Sequence, residues 1–92
     1  MCYPPEYFRY HKVFPTQLDI WSLGLMLFLL IAKEHCFDED DIKSRNFNVD
    51  MSLIRNENVS EQCADLVHNI LNPNPDKRYT MDQILNSSWL NY

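Results

Sequence analysis

The sequence predicts a mainly α fold, and three stretches carry that expectation. From Leu23 to Ala32 every residue except Gly24 is apolar, which leaves no face for water. Cys63, Leu66, Val67, Ile70 and Leu71 recur at helical spacing behind Ser60. Thr80-Met81-Asp82-Gln83 has the form of a capping box and is followed by Ile84 and Leu85. No segment reads as a strand, and a single glycine among 92 residues with 46% hydrophobic content fits a folded, helical chain.

Taken in order, residues 1–15 hold Pro4, Pro5 and Pro15 among many aromatics, which predicts an aromatic-pinned loop with a short helical turn at Glu6–Tyr10. A central helix is expected over 17–33, with Thr16 as its cap and Asp19 completing a T-x-x-D box near the positive end of the dipole. Its apolar run is about half of the roughly twenty residues a bilayer needs, so it reads as the buried post of a fold and not as a membrane span. An acidic helix should follow over 39–45, then an irregular Asn-rich loop over 46–58. Ser60 caps a helix over 60–71 that ends at Asn72-Pro73. The last helix, 81–87, should point Met81, Ile84 and Leu85 inward, with Tyr79 stapled onto Ile84 and Trp89 and Leu90 as a terminal anchor. A fully apolar helix needs more neighbours than this chain supplies, so a loose or poorly soluble fold is expected in isolation.

Composition excludes several functions. A net charge of −5 argues against nucleic acid and against an anionic membrane surface. Cys2, Cys36 and Cys63 share no spacing with each other or with His11, His35 and His68, so neither a disulfide framework nor a zinc site is expected. The start, Met1-Cys2-Tyr3-Pro4-Pro5, reads as a turn and not as a signal peptide; the chain is expected in the cytoplasm or nucleus, and the triplets at Asn58 and Asn86 as chance matches to a glycosylation site. One glycine permits no phosphate-cradling loop. Ile42 and Lys43 spoil the acidic run as a calcium loop. Cys63, Met26 and Met81 read as core by spacing, and the histidines as surface or loop residues. No catalytic, cofactor-binding or metal-binding residue follows from the residues alone.

Three motifs then fall in a recognisable order. Pro4-Pro5-Glu6 resembles the A-P-E element closing a protein kinase activation segment. Asp19-Ile20-Trp21-Ser22-Leu23-Gly24 is similar to the opening of the large central helix in the kinase C-terminal lobe. Pro75-Asp76-Lys77-Arg78-Tyr79-Thr80, with Trp89-Leu90 behind it, resembles the segment ending that lobe. Residues 1–92 therefore look like a partial kinase domain, the C-terminal helical lobe without its N-terminal β lobe, with the end of the activation segment at 3–8. Pro4 to His11 and Trp21 to Gly24 look most like the Pim-type serine/threonine kinases.

The resemblance implies that Glu6 pairs with Arg78, that Asp19 accepts hydrogen bonds from the catalytic loop, and that Trp21 lies in the core. It places Glu34, Asp38, Glu39, Asp40 and Asp41 near where such kinases attract arginines of a substrate, although a solvated acidic face is the better explanation of the run. The complete kinase would use ATP and Mg to phosphorylate Ser or Thr in Arg/Lys-rich proteins. The catalytic Asp loop, D-F-G, the ATP-positioning Lys and the glycine-rich loop are absent from these residues, so an N-terminal kinase portion is an implied partner. Lys33, Cys36, Tyr79 and Ser87-Ser88 depart from the family pattern. The second reading is a finished, non-catalytic kinase-like binding module or decoy.

Overall fold

The computed structural model describes residues 3–55, 57 and 59–90; Cys2 and Asn58 lie outside them. Six helices follow one another, and no strand occurs among the described residues. Helix α1 spans Pro5–Tyr10. Pro5 is tolerated there because it sits in the first turn, where a backbone N–H has no partner to lose.

Helix α2, Pro15–Ala32, begins earlier than expected and by a different device. Pro15 occupies the first helical position, extended Phe14 precedes it, and no side chain caps the end. Thr16 is therefore already helical and Asp19 lies beyond the first turn, so neither acts as the expected cap. Proline's preset φ starts the helix instead. At the other end Lys33 adopts the left-handed conformation (φ 60°), and its N–H donates to the Leu29 carbonyl at 2.9 Å. A residue with a side chain thus performs the stop usually given to glycine.

Burial of α2 corrects a second expectation. Ile20, Trp21, Gly24 and Phe28 form one buried stripe, whereas Met26 and Leu30 are 59% and 68% exposed. The helix is long and apolar enough to cross a membrane by composition, but here the helices at Ser52–Arg55 and Glu61–Ile70 pack on it. Its buried stripe meets helix α5, Glu61–Ile70, which turns Cys63, Ala64, Leu66, Val67 and Ile70 inward. Gly24 sets their separation: a Cβ there would lie 2.6 Å from Ile70 Cγ2 and 2.7 Å from Leu71 Cδ2. The Ser60 hydroxyl caps α5 by accepting from the Cys63 N–H at 3.1 Å.

Helix α3 covers Glu39–Lys43, and helix α4, Ser52–Arg55, lies inside the segment expected to be irregular. That segment also buries Phe47 and Ile54. Phe47 stands edge-on to Trp21 and Phe37 and stacks on Phe8, joining the aromatic core around Trp21. A second cluster unites Ile20, Leu66, Ile70 and Ile84, with Tyr79 against it.

Helix α6, Met81–Leu85, starts in a reciprocal box: Thr80 Oγ1 accepts from the Gln83 N–H at 3.2 Å and Gln83 Oε1 from the Thr80 N–H at 2.8 Å. It ends at Leu85, and only Ile84 is buried on it. Met81, Leu85, Trp89 and Leu90 are exposed, as is Met26, against the expectation that they face inward. A five-residue helix has one face against the core, and Ile84 fills it.

Candidate functional site

The most organised polar site is built from α1, the start of α2 and the loop between α5 and α6. That loop is held by its own asparagines. Asn72 Oδ1 accepts from the Asn74 N–H at 2.9 Å, and Asn74 Oδ1 from the Asp76 N–H at 3.0 Å. The Arg78 and Tyr79 N–H groups donate to the carbonyls of Asn74 and Asn69. The result aims Arg78 into the fold.

Arg78 is 2% exposed and Glu6 8%. Arg78 Nη1 donates to Glu6 Oε2 at 2.7 Å and Nη2 to Oε1 at 2.9 Å, a bidentate, charge-assisted pair. Nη1 also donates to Gln17 Oε1 at 3.1 Å, and Nε to the Asn72 carbonyl at 3.0 Å. The guanidinium carbon lies 4.8 Å from the centroid of a Trp21 ring. Glu6, Trp21 and Arg78 are thus brought together. A cavity of about 360 Å³ opens beside them, walled by Tyr10, Val13, Phe14 and Pro75.

Asp19 is not part of this cluster. Its side chain is exposed, with no hydrogen bond or ion pair among the described residues. The acidic candidates divide into two kinds. Asp38 caps α3, accepting from the Asp41 N–H at 2.8 Å, while Asp41 accepts from the Asp38 N–H at 3.1 Å. Glu34, Glu39 and Asp40 are exposed. The D-x-x-D spacing was the available sign of that box.

Gln17 is the partner that sequence reasoning missed. It lies four residues before Trp21, so one turn of α2 sets both against the guanidinium. Elsewhere, burial pushes the Cys63 thiol pKa up. Among the described residues no group of three or more His, Cys, Asp or Glu side chains could hold a metal ion. The Glu6 and Arg78 charges satisfy each other in a largely buried site, an arrangement suited to fixing two distant segments.

Comparison with known proteins agrees with this architecture. The sequence pattern of the protein kinase domain matches residues 2–90. Testis-specific serine/threonine-protein kinase 2 of Mus musculus is 36% identical over 81 residues, covering 83% of this chain and 22% of that protein. Serine/threonine-protein kinase pim-2 of Danio rerio is 33% identical over 88 residues, covering 95% of this chain and 26% of that protein. The chain therefore spans about a quarter of these relatives. A crystal structure of the Rad53 kinase domain and SCD2 in complex with AMPPNP superposes with a TM-score of 0.82 at 20% identity, over 98% of this chain and 38% of that one. The helices packed on α2 are those of the kinase helical lobe, and the chain belongs to the protein kinase domain family.

Proposed function

We propose that these residues are the helical-lobe scaffold of a serine/threonine protein kinase of the Pim type. Its complete polypeptide transfers the γ-phosphoryl group of ATP, with Mg, to a Ser or Thr hydroxyl. The observation that carries this reading is the buried Glu6–Arg78 clasp against Trp21. It ties the segment resembling the end of an activation segment to the loop before the last helix. Such a tie holds a substrate-facing segment in place, and phosphoryl transfer depends on positioning more than on new covalent chemistry. Exposed Asp19 is free to accept hydrogen bonds from a catalytic loop outside these residues. Glu34, Glu39 and Asp40 give the start of α3 a negative surface suited to Arg/Lys-rich substrates in the cytoplasm or nucleus.

The test is to express the complete reading frame that contains this chain and to follow ³²P transfer from ATP to an Arg-rich Ser peptide. Transfer is expected, with Arg78→Ala abolishing it and Glu39→Lys with Asp40→Lys raising KM for that peptide and not for a neutral one. No transfer by any frame containing the chain would favour the non-catalytic module. Equal KM values for the charge-reversed variant would remove the basic-substrate assignment alone.

A further inference from the structure

Arg78 pairs with Glu6, and Arg55 with Glu61 and Asp65. The remaining arginines, Arg9 and Arg45, meet no carboxylate within ion-pair distance among the described residues. Yet both line one recess of about 190 Å³, together with Pro5, Phe8 and Phe47. No acidic residue lines it, in a chain whose net charge is −5.

The recess has a built floor. Phe8 and Phe47 stack with centroids 5.5 Å apart and planes 20° apart. The Arg45 guanidinium lies 4.1 Å from the Phe8 centroid, and its Nη1 donates to the Ile42 carbonyl at 2.7 Å. A stacked guanidinium held from one corner keeps its other N–H groups available and has little freedom left to lose on binding. Arg45 also sits at φ 59°, in the left-handed region that glycine occupies without strain. The turn there is closed by backbone, Asn46 N–H donating to the Asp41 carbonyl at 2.8 Å. The turn therefore does not need an arginine, and the side chain is what the strained position presents.

We propose that this recess binds the phosphoserine side chain of a peptide or protein. The Arg45 guanidinium offers charge-assisted donors to the phosphate oxygens, and Arg9, whose guanidinium lies 5.3 Å from the Tyr10 centroid, adds a second positive charge at the wall of the recess. The volume lies below the roughly 300 Å³ at which small-molecule sites begin, so a side-chain head fits and a nucleotide does not. The phenyl floor receives the serine methylene. All five lining residues lie within this chain, so the site stands or falls independently of the kinase activity.

The experiment titrates the 92-residue chain, at concentrations where sedimentation shows a single monomeric species, into a fluorescein-labelled Gly/Ala heptapeptide carrying one central phosphoserine, with serine and glutamate versions as controls. Fluorescence anisotropy should show binding about tenfold or more tighter for the phosphoserine peptide than for either control, as a charge-assisted contact from Arg45 backed by the Arg9 charge predicts. Arg9→Gln and Arg45→Gly should each weaken it by about tenfold. Arg45→Gly relieves the turn, so its melting temperature should hold or rise while binding falls. Equal affinity for the phosphoserine and serine peptides, equal affinity for the glutamate peptide, or undiminished binding by both variants would overturn the proposal.

Discussion

Arg78 and Glu6 lie 72 positions apart in the sequence, yet their side chains meet through two parallel hydrogen bonds of 2.7 and 2.9 Å. Both charges are almost wholly withdrawn from water. Desolvating two ions offsets much of their attraction, so the pair's net contribution is modest, but each partner alone is a serious liability. That asymmetry makes the clasp a locking device: it penalises any arrangement in which α1 and the loop before α6 are not in register.

Removing one side should therefore do more harm than replacing both. Glu6→Leu or Arg78→Met is expected to destabilise by about 3–5 kcal/mol, the typical consequence of stranding a buried charge. The double variant should be more stable than either single one. Urea unfolding followed by far-UV circular dichroism measures all three, and additive losses would refute the locking argument.

Gly24 supplies a prediction in which two effects oppose each other. Alanine is favoured over glycine in a helix interior by about 1 kcal/mol. At Gly24 the added methyl would stand 2.6 Å from Ile70 and 2.7 Å from Leu71. Overpacking of that kind costs about 1–3 kcal/mol, so Gly24→Ala should be net destabilising. Each kcal/mol lowers the melting temperature of a domain this size by about 4–8 °C, readable by circular dichroism.

Much of this architecture was legible where a side chain answers its own neighbourhood. Ser60 and Thr80 announce the starts of α5 and α6 because their oxygens bond N–H groups three residues on. The inward face of α5 follows from spacing, since polar residues fill its other face. An apolar run cannot declare which side is buried, and so Met26 and Leu30 were misjudged. Phe47 was overlooked for the opposite reason: it stands between two asparagines, and only distant rings explain its burial. His11, Lys33 and Arg45 turn the chain at positive φ without glycine, which removes the usual signal. The Glu6–Arg78 pair has no local period at all and was legible only through the order of three motifs. Gln17 carried no motif.

Cys63 gives the chain a pH dependence of known sign. Burial raises its thiol pKa above the ordinary value of 9.0, so the folded state holds the proton more tightly than the unfolded chain. The associated stability is complete below the unfolded thiol's pKa and declines as pH rises through the folded one. Relative to Cys63→Ala, the native chain should lose up to about 1.4 kcal/mol per pH unit above roughly pH 9 and show no such difference near pH 7. Alkylation of Cys63 by iodoacetamide at neutral pH, followed by peptide mass, should likewise be slow until urea unfolds the chain. Parallel stability curves for the two proteins at alkaline pH would show that the thiol is not buried as described.

The outward face of α2 sets the behaviour of the isolated chain. Met26, Leu29 and Leu30 project into solvent from the most apolar helix, and Leu25 lines a neighbouring recess with Phe37 and Ile42. Contiguous apolar surface of this kind drives association unless something covers it. The 92-residue chain should therefore self-associate as its concentration rises, giving a sedimentation coefficient that climbs across the series. Met26→Gln with Leu30→Gln should suppress that climb and leave the melting temperature within a few degrees, because neither side chain belongs to the buried core. A double variant that unfolds would mean these residues are packed inward, and one that still associates would locate the adhesive surface elsewhere.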